Sequence, residues 1–260
     1  MVPIANMTKQ SILNVKYVLM DIDDTITNEG KLPSDAYAAL WQLAERGFHV
    51  IPVTGRPAGW CDLIARQWPV AAVVGENGAL VFWEELGVIK RLYHPNAVDN
   101  GHPVLQRVRE RILREVPGTR LASDQFARMF DLAFDFREEE PRLPLSDAVR
   151  MRGICEEEGA VAKISSIHVN VWMGDYSKLS MVTQWLHRTY SYEDGKKRDS
   201  VLFFGDSPND EPMFSHFPLT VGVANILQYG HLMTHLPKYV TESDGGHGFS
   251  EGVTRLLSLL

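Results

Sequence analysis

What most narrows the fold of this chain is a recurrence: short apolar runs that stop abruptly in small polar or acidic residues, separated by helical spans. Lys16-Tyr17-Val18-Leu19-Met20 breaks off into Asp21-Ile22-Asp23-Asp24-Thr25. The run 48–53 ends in Thr54-Gly55-Arg56, and the run 200–204 ends in Gly205-Asp206. A strand buried on both faces reads as a continuous apolar run, which is the signature of a parallel sheet with helices above and below. The intervening segment 35–46 fits, with Ala36, Leu40, Leu43 and Ala44 at helical spacing and Gly47 placed as a C-terminal cap. Pro52 cannot donate to a ladder and is therefore expected near a strand end. A helix over 60–68 leads to a third strand, 70–74, ending in Gly75-Glu76-Asn77-Gly78.

After about residue 86 the rhythm changes. A helix over 104–116 precedes strands at 120–123 and 128–136, then a charged, proline-containing loop at 137–144. A helix over 146–158 and strands at 161–165 and 167–173 complete this block, after which the parallel pattern resumes with a helix at 178–190 and short strands near 219–223 and 238–240. Gly245-Gly246-His247-Gly248 reads as a flexible loop. The expected architecture is α/β: a doubly wound, Rossmann-like parallel-sheet core of residues 1–86 and 174–260, interrupted by an inserted α+β cap of residues 87–173.

Composition bounds the function. With 260 residues, 45% hydrophobic, there is ample material for a core, and a net charge of −7 disfavours binding to nucleic acid or to an anionic membrane. No apolar stretch approaches the roughly 18 residues that span a bilayer, and the first residues lack a leader pattern, so a cytoplasmic location is expected. Cys61 and Cys155 have no ligand spacing and read as buried free thiols; the nine histidines show none either. Oligomeric state is left open. In open parallel sheets, ligands bind outside the carboxyl ends of the strands. A cluster of aspartates there calls for a cation, and oxygen ligands suit Mg²⁺.

The sequence resembles the haloacid dehalogenase superfamily, and specifically its sugar-phosphate phosphatases of subfamily IIB. The resemblance rests on Asp21-Ile22-Asp23-Asp24-Thr25, on Thr54, on Lys178 at a helix start, and on Gly205-Asp206-Ser207-Pro208-Asn209-Asp210, in that order along the chain, with Asn77-Gly78-Ala79 and the large late insertion. It covers Tyr17 to about Gly222; the cap is matched only by position and pattern. It implies an enzyme acting on a small phosphorylated metabolite. Asp21 would be the nucleophile and Asp23 the acid and base, with Thr54 and Lys178 holding phosphate oxygens. Mg²⁺ would sit on Asp21, the backbone carbonyl of Asp23, and Asp206, with Asn209 and Asp210 behind them. Asp24 departs from the small residue often found at its position, adding a negative charge. A phosphomutase, or a receiver-like phospho-signalling domain, is the alternative.

Substrate-binding candidates are Arg56, Asn77, His168, Asn170 and Trp172. Arg56 either pairs with a surface carboxylate or faces the substrate. His168, Asn170 and Trp172 share one strand face, opposite Val169 and Val171. That face is either solvent-exposed sheet or a ceiling over the site, where Trp and Asn would suit a sugar.

Overall fold

In the computed structural model, which describes residues 1–260, all four residues of the strand Tyr17–Met20 are buried, and they divide by parity. Val18 and Met20 enter one apolar cluster, Tyr17 and Leu19 another. Leu202 and Phe204 divide from Val201 and Phe203 in the same way. Two cores, one on each face of a central sheet, are what the uninterrupted apolar runs require.

The elements run β1 (Val2–Pro3), α1 (Lys9–Ile12), β2 (Tyr17–Met20), α2 (Ser34–Glu45), β3 (His49–Pro52), α3 (Ala58–Gln67), β4 (Val73–Gly75), β5 (Leu80–Glu85) and β6 (Val88–Tyr93). Then come α4 (Pro103–Glu115), β7 (Arg120–Leu121), β8 (Asp131–Asp135), α5 (Leu145–Glu157), β9 (Val161–Ile164) and β10 (His168–Trp172). The chain closes with α6 (Lys178–Tyr190), α7 (Asp194–Lys197), β11 (Val201–Gly205), α8 (Glu211–His216), β12 (Leu219–Gly222), β13 (Tyr239–Val240) and α9 (Gly245–Ser258). The central sheet is parallel throughout, in the order β1-β13-β12-β11-β2-β3, and a bridge between Val53 and Val74 extends it to β4. The chain leaves β2 toward β3 on one side and reaches β11 on the other. The switch in direction therefore opens a crevice beyond the carboxyl ends of β2 and β11, where Asp21 and Asp206 stand. Pro52 closes β3, opposite Met20, so its missing N–H costs no interior ladder bond.

The inserted block forms a second, antiparallel sheet, β7-β8-β10-β9. Leu132, Phe134, Val169 and Val171 pack beneath α4 and α5 around Val108, Ile112, Met151 and Ile154. The face left over carries Asp131, Asp135, His168, Asn170 and Trp172, all buried, because it is turned toward the parallel core. That face is therefore covered and is not solvent-exposed sheet.

Three details depart from the sequence reading. The division expected between 86 and 87 falls in the two-residue turn of the β5–β6 hairpin, where Leu86 and Gly87 both have positive φ. β6 is paired along its length to β5, and Leu92 packs on the core beside Val81, so this strand stays with the core. Gly245-Gly246-His247-Gly248 opens α9 and is no flexible loop. A Cβ on Gly246 would lie 2.6 Å from the carbonyl oxygen of Ile26, so the glycine is there for close packing. The amino-terminal residues, unassigned from sequence, add β1 as an edge strand beside β13.

Candidate active site

Each chemical side chain of the crevice is fixed by a local feature of the chain. Asp21 follows β2 directly and its N–H donates to the carbonyl of Phe204, 3.0 Å away on β11. Lys178 opens α6, whose start is fixed by a reciprocal cap between Ser177 and Ser180. Gly78 allows the turn after β4 to pass against Ser177 and Lys178: it has φ +105°, and a Cβ there would collide with the carbonyl of Ser177. The result is a buried cluster. Carboxylate oxygens of Asp21, Asp206 and Asp210 lie within 4.8 Å of one another, and Lys178 Nζ is 3.0 Å from both Asp21 Oδ1 and Asp210 Oδ1.

Hydrogen bonds orient the members. Asp210 Oδ2 accepts from the Asp206 N–H at 3.1 Å. Asp206 accepts from the Thr25 hydroxyl at 3.0 Å and from the Asn225 amide at 3.3 Å. Asp21 Oδ2 accepts no hydrogen bond and remains free to react. Thr54 Oγ1 accepts the Arg56 N–H at 3.0 Å, which leaves its own proton available to a ligand. Asn209 accepts from Ser207 at 2.8 Å and supports the turn that carries Asp210.

The charges do not balance within the protein. Three buried carboxylates against one ammonium leave two negative charges in a desolvated pocket. Burial pushes the Asp21 carboxyl up to about 7, with Lys178 opposing and Asp210 and Asp23 adding to the rise. Burial, then the charges of Asp210 and Asp21, pushes Asp206 well above the ordinary carboxylate range. Oxygen donors and an uncompensated charge of two fit a hard divalent cation such as Mg²⁺.

Arg56 belongs to a second cluster. Its Nε lies 2.9 and 3.0 Å from the two oxygens of Asp23, its Nη1 3.2 Å from Asp124 and its Nη2 2.6 Å from Glu138, while the guanidinium covers the Trp60 ring at 4.3 Å. Asp124 and Glu138 come from the inserted block, so Arg56 ties the two parts of the chain together. Of the two sequence readings of Arg56, pairing with carboxylates is the one seen, although its partners are partly buried and not surface groups, and Arg56 also lines a cavity. The Asp23 carboxylate is held by Arg56 and is not one of the three clustered carboxylates.

The ceiling residues are placed as follows. His168 Nε2 is 2.8 Å from Glu138 Oε2. The Glu138 carboxyl is held at about 2: burial works to raise it, and His168 and then Arg56 outweigh that. Asn77, in a left-handed conformation at φ 56°, and Asn170 both donate to Asp131 Oδ2 at 3.3 Å, and Arg128 completes that buried pair. Trp172 is a correction. It is 2% exposed and stacked on Tyr176 at 5.6 Å beside Ala79, so neither ring face is open to a sugar. Trp172→Ala is expected to lower stability by about 3–5 kcal/mol, the cost of a large core-side cavity, measured by denaturant unfolding. A change confined to substrate preference, with stability intact, would restore the ligand-facing role.

Residues missed from sequence include Asn225, Glu76, Asp124, Arg128, Asp131 and Glu138, and Thr25 was quoted in the first motif without its bond to Asp206. Glu76 is fully buried and accepts the N–H groups of Ala58, Met129 and Phe130, another tie between core and insert. Asn225 was within reach: it stands just beyond β12, a fourth strand end in the same sheet.

Residues 18–108 match the family model described as haloacid dehalogenase-like hydrolase. Over that stretch the chain is similar to haloacid dehalogenase-like hydrolases. The fold extends the likeness to nearly the whole chain. A Thermoplasma acidophilum protein superposes with a TM-score of 0.71 at 20% identity, over 95% of this chain and 99% of that one. A haloacid dehalogenase-like hydrolase from Bacteroides thetaiotaomicron gives 0.65 at 16% identity, over 93% and 99%. A subclass IIB sugar phosphatase of the same superfamily gives 0.65 at 14%, over 95% and 100%. At these identities the likeness is one of fold. No curated protein matches the sequence. No helix of the chain is long and apolar enough to cross a membrane.

Proposed function

We propose that this chain is a haloacid dehalogenase-like hydrolase, a Mg²⁺-dependent phosphatase of a small phosphate monoester, a sugar phosphate, working through an aspartyl-phosphate on Asp21. The observation that carries the reading is the unengaged Asp21 Oδ2 beside Lys178, Asp206 and Asp210 at the switch point of the sheet. The fold shared with a IIB sugar phosphatase supports the substrate class.

Asp21 Oδ2 attacks phosphorus, and the bond from phosphorus to the ester oxygen breaks as the new one forms. Asp23, released from the Arg56 fork, gives its proton to the leaving oxygen. It then takes a proton from the water that attacks the aspartyl-phosphate, returning Asp21 and inorganic phosphate. Lys178 and the Thr54 hydroxyl hold phosphate oxygens through both displacements. Asp21, Asp206, Asp210 and the Asp23 carbonyl are the groups that would hold Mg²⁺, which when bound supplies charge stabilisation to the phosphoryl oxygens. The inserted block, from about residue 94 to 173, acts as the cap that excludes bulk water and selects the leaving group.

Inorganic phosphate released from a panel of sugar phosphates tests this. Release is expected to fall to background after exhaustive chelation and to return with Mg²⁺. Mg²⁺ alone, with no ester present, is expected to raise the melting temperature, since an ion that binds only the folded state stabilises it. Turnover undiminished by chelation, or a metal-insensitive melting temperature, would refute the ion site.

A further inference from the structure

A cavity of about 580 Å³ lies between core and cap, with Asp23 and Arg56 among its lining residues. It is large enough for a metabolite-sized ligand. Its two walls carry opposite charge. Apart from the mutually paired Arg56 and Glu138, Asp23, Asp24 and Glu29 line the core side, and Arg137 and Arg142 line the cap side.

The arginines differ in what they have left to offer. Arg56 is surrounded by Asp23, Asp124 and Glu138. Arg142 is largely exposed and lies 3.4 Å from Glu140. Arg137 has no carboxylate within 4.0 Å. Its guanidinium is instead hydrogen-bonded at 3.4 Å to the phenol of Tyr229 and lies 5.7 Å from the Phe136 ring centroid. Its backbone is fixed, with the N–H donating to the carbonyl of Ile167 at 3.1 Å. Tyr229, Arg137 and Asp24 line the same cavity, and Asn225 donates both to the Asp24 carbonyl at 2.9 Å and to Asp206 Oδ2 at 3.3 Å, so the Asp24 end of the cavity adjoins the carboxylate cluster. Beside it, the buried hydroxyl of Ser166 lies near Asp24 without a well-formed hydrogen bond. A pre-positioned guanidinium with unspent donors, in the wall of a cavity that adjoins the carboxylate cluster, is a receptor for an anion.

We propose that Arg137 is a specificity residue reading a second anionic group, a carboxylate or a second phosphate, on the phosphate ester. This rests on the phosphatase reading for the identity of the first anion. A ligand spanning the cavity turns its hydroxyls to the acidic core wall and its distal anion to Arg137. A neutral sugar phosphate leaves that guanidinium unpaired.

Matched esters test it: 6-phosphogluconate against glucose 6-phosphate for a carboxylate, and fructose 1,6-bisphosphate against fructose 6-phosphate for a phosphate. In the wild type, the anion-bearing member of at least one pair is expected to have a kcat/KM at least tenfold higher, carried mainly by KM. Whichever pair shows it identifies the anion. Arg137→Gln should bring the ratio close to one, and Arg137→Lys, which keeps the charge, should retain part of it. Melting-temperature shifts with the same four esters in Mg²⁺ read the preference without turnover. A shift preference that is lost in Arg137→Gln, with no ester hydrolysed, would sink the phosphatase reading and keep the anion site. Equal kcat/KM and equal shifts across both pairs in the wild type, or a ratio unchanged by Arg137→Gln, would overturn the proposal.

Discussion

Asp21→Asn is expected to lower phosphate release by at least about a thousandfold, with KM little changed, since loss of a nucleophile removes the step that all later chemistry depends on. The amide nitrogen or oxygen in place of Oδ2 is a poor nucleophile, and no other carboxylate can take over. Asp206 accepts from Thr25 and Asn225, Asp210 accepts from Lys178 and the Asp206 N–H, and Asp23 is clasped by Arg56. The substitution also removes one negative charge from a cluster that holds three carboxylates against one lysine. The metal-free variant should therefore be no less stable than the wild type, and it is expected to melt at the same or a higher temperature. That combination separates a lost nucleophile from a lost fold. Acid quench during turnover, followed by intact mass measurement, should show a phosphoryl adduct on the wild type and none on the variant. A variant retaining near wild-type kcat would remove Asp21 from the nucleophile's role.

The strand-end aspartates were legible because burial writes itself into sequence. Tyr17–Met20 and Val201–Phe204 are apolar at every position, so the first polar residue after each marks the carboxyl end of the sheet, where open parallel sheets bind their ligands. Lys178 became legible through the order of motifs, and the structure brings it to Asp21 across 157 residues of chain. The partners of Arg56 were not legible. Asp124 and Glu138 lie 68 and 82 positions away, on loops whose approach depends on how one sheet settles over another. Alternation placed His168, Asn170 and Trp172 on one face correctly, since period two fixes sidedness. It carries no information on what lies opposite, and an aromatic aimed at Tyr176 has the same pattern as one aimed at a sugar. Two other misses come from backbone conformation. Leu86 in a left-handed turn is unusual for its type, so the β5–β6 hairpin lacked its normal turn residues. The glycines of 245–248 suggested flexibility, whereas a carbonyl packed against Gly246 demands the absence of a side chain.

Lys178→Met is expected to show what the one cation of the cluster contributes, with two effects that can be measured apart. The first is on the fold. Lys178 is 5% exposed, and burial alone would disfavour its charge, but Asp21 and Asp210 hold it protonated well above its ordinary range. Removing it leaves three buried carboxylates with no internal counter-charge. Breaking a buried pair from one side typically costs about 3–5 kcal/mol, and that loss is expected in metal-free denaturant unfolding. The methionine keeps the aliphatic length of the stem, so the cost is electrostatic more than steric. The second effect is on catalysis. Withdrawal of a positioned charge from the phosphoryl oxygens should reduce kcat by about a hundredfold to a thousandfold, even where Mg²⁺ has restored the fold. Mg²⁺ should raise the melting temperature of this variant by more than it raises that of the wild type, because the ion then answers three carboxylates without a competing ammonium. A variant as stable as the wild type without metal would mean that the carboxylates share protons instead, and that Lys178 does not balance their charge. Near wild-type kcat in saturating Mg²⁺ would exclude Lys178 from holding the phosphate and leave it a structural role alone.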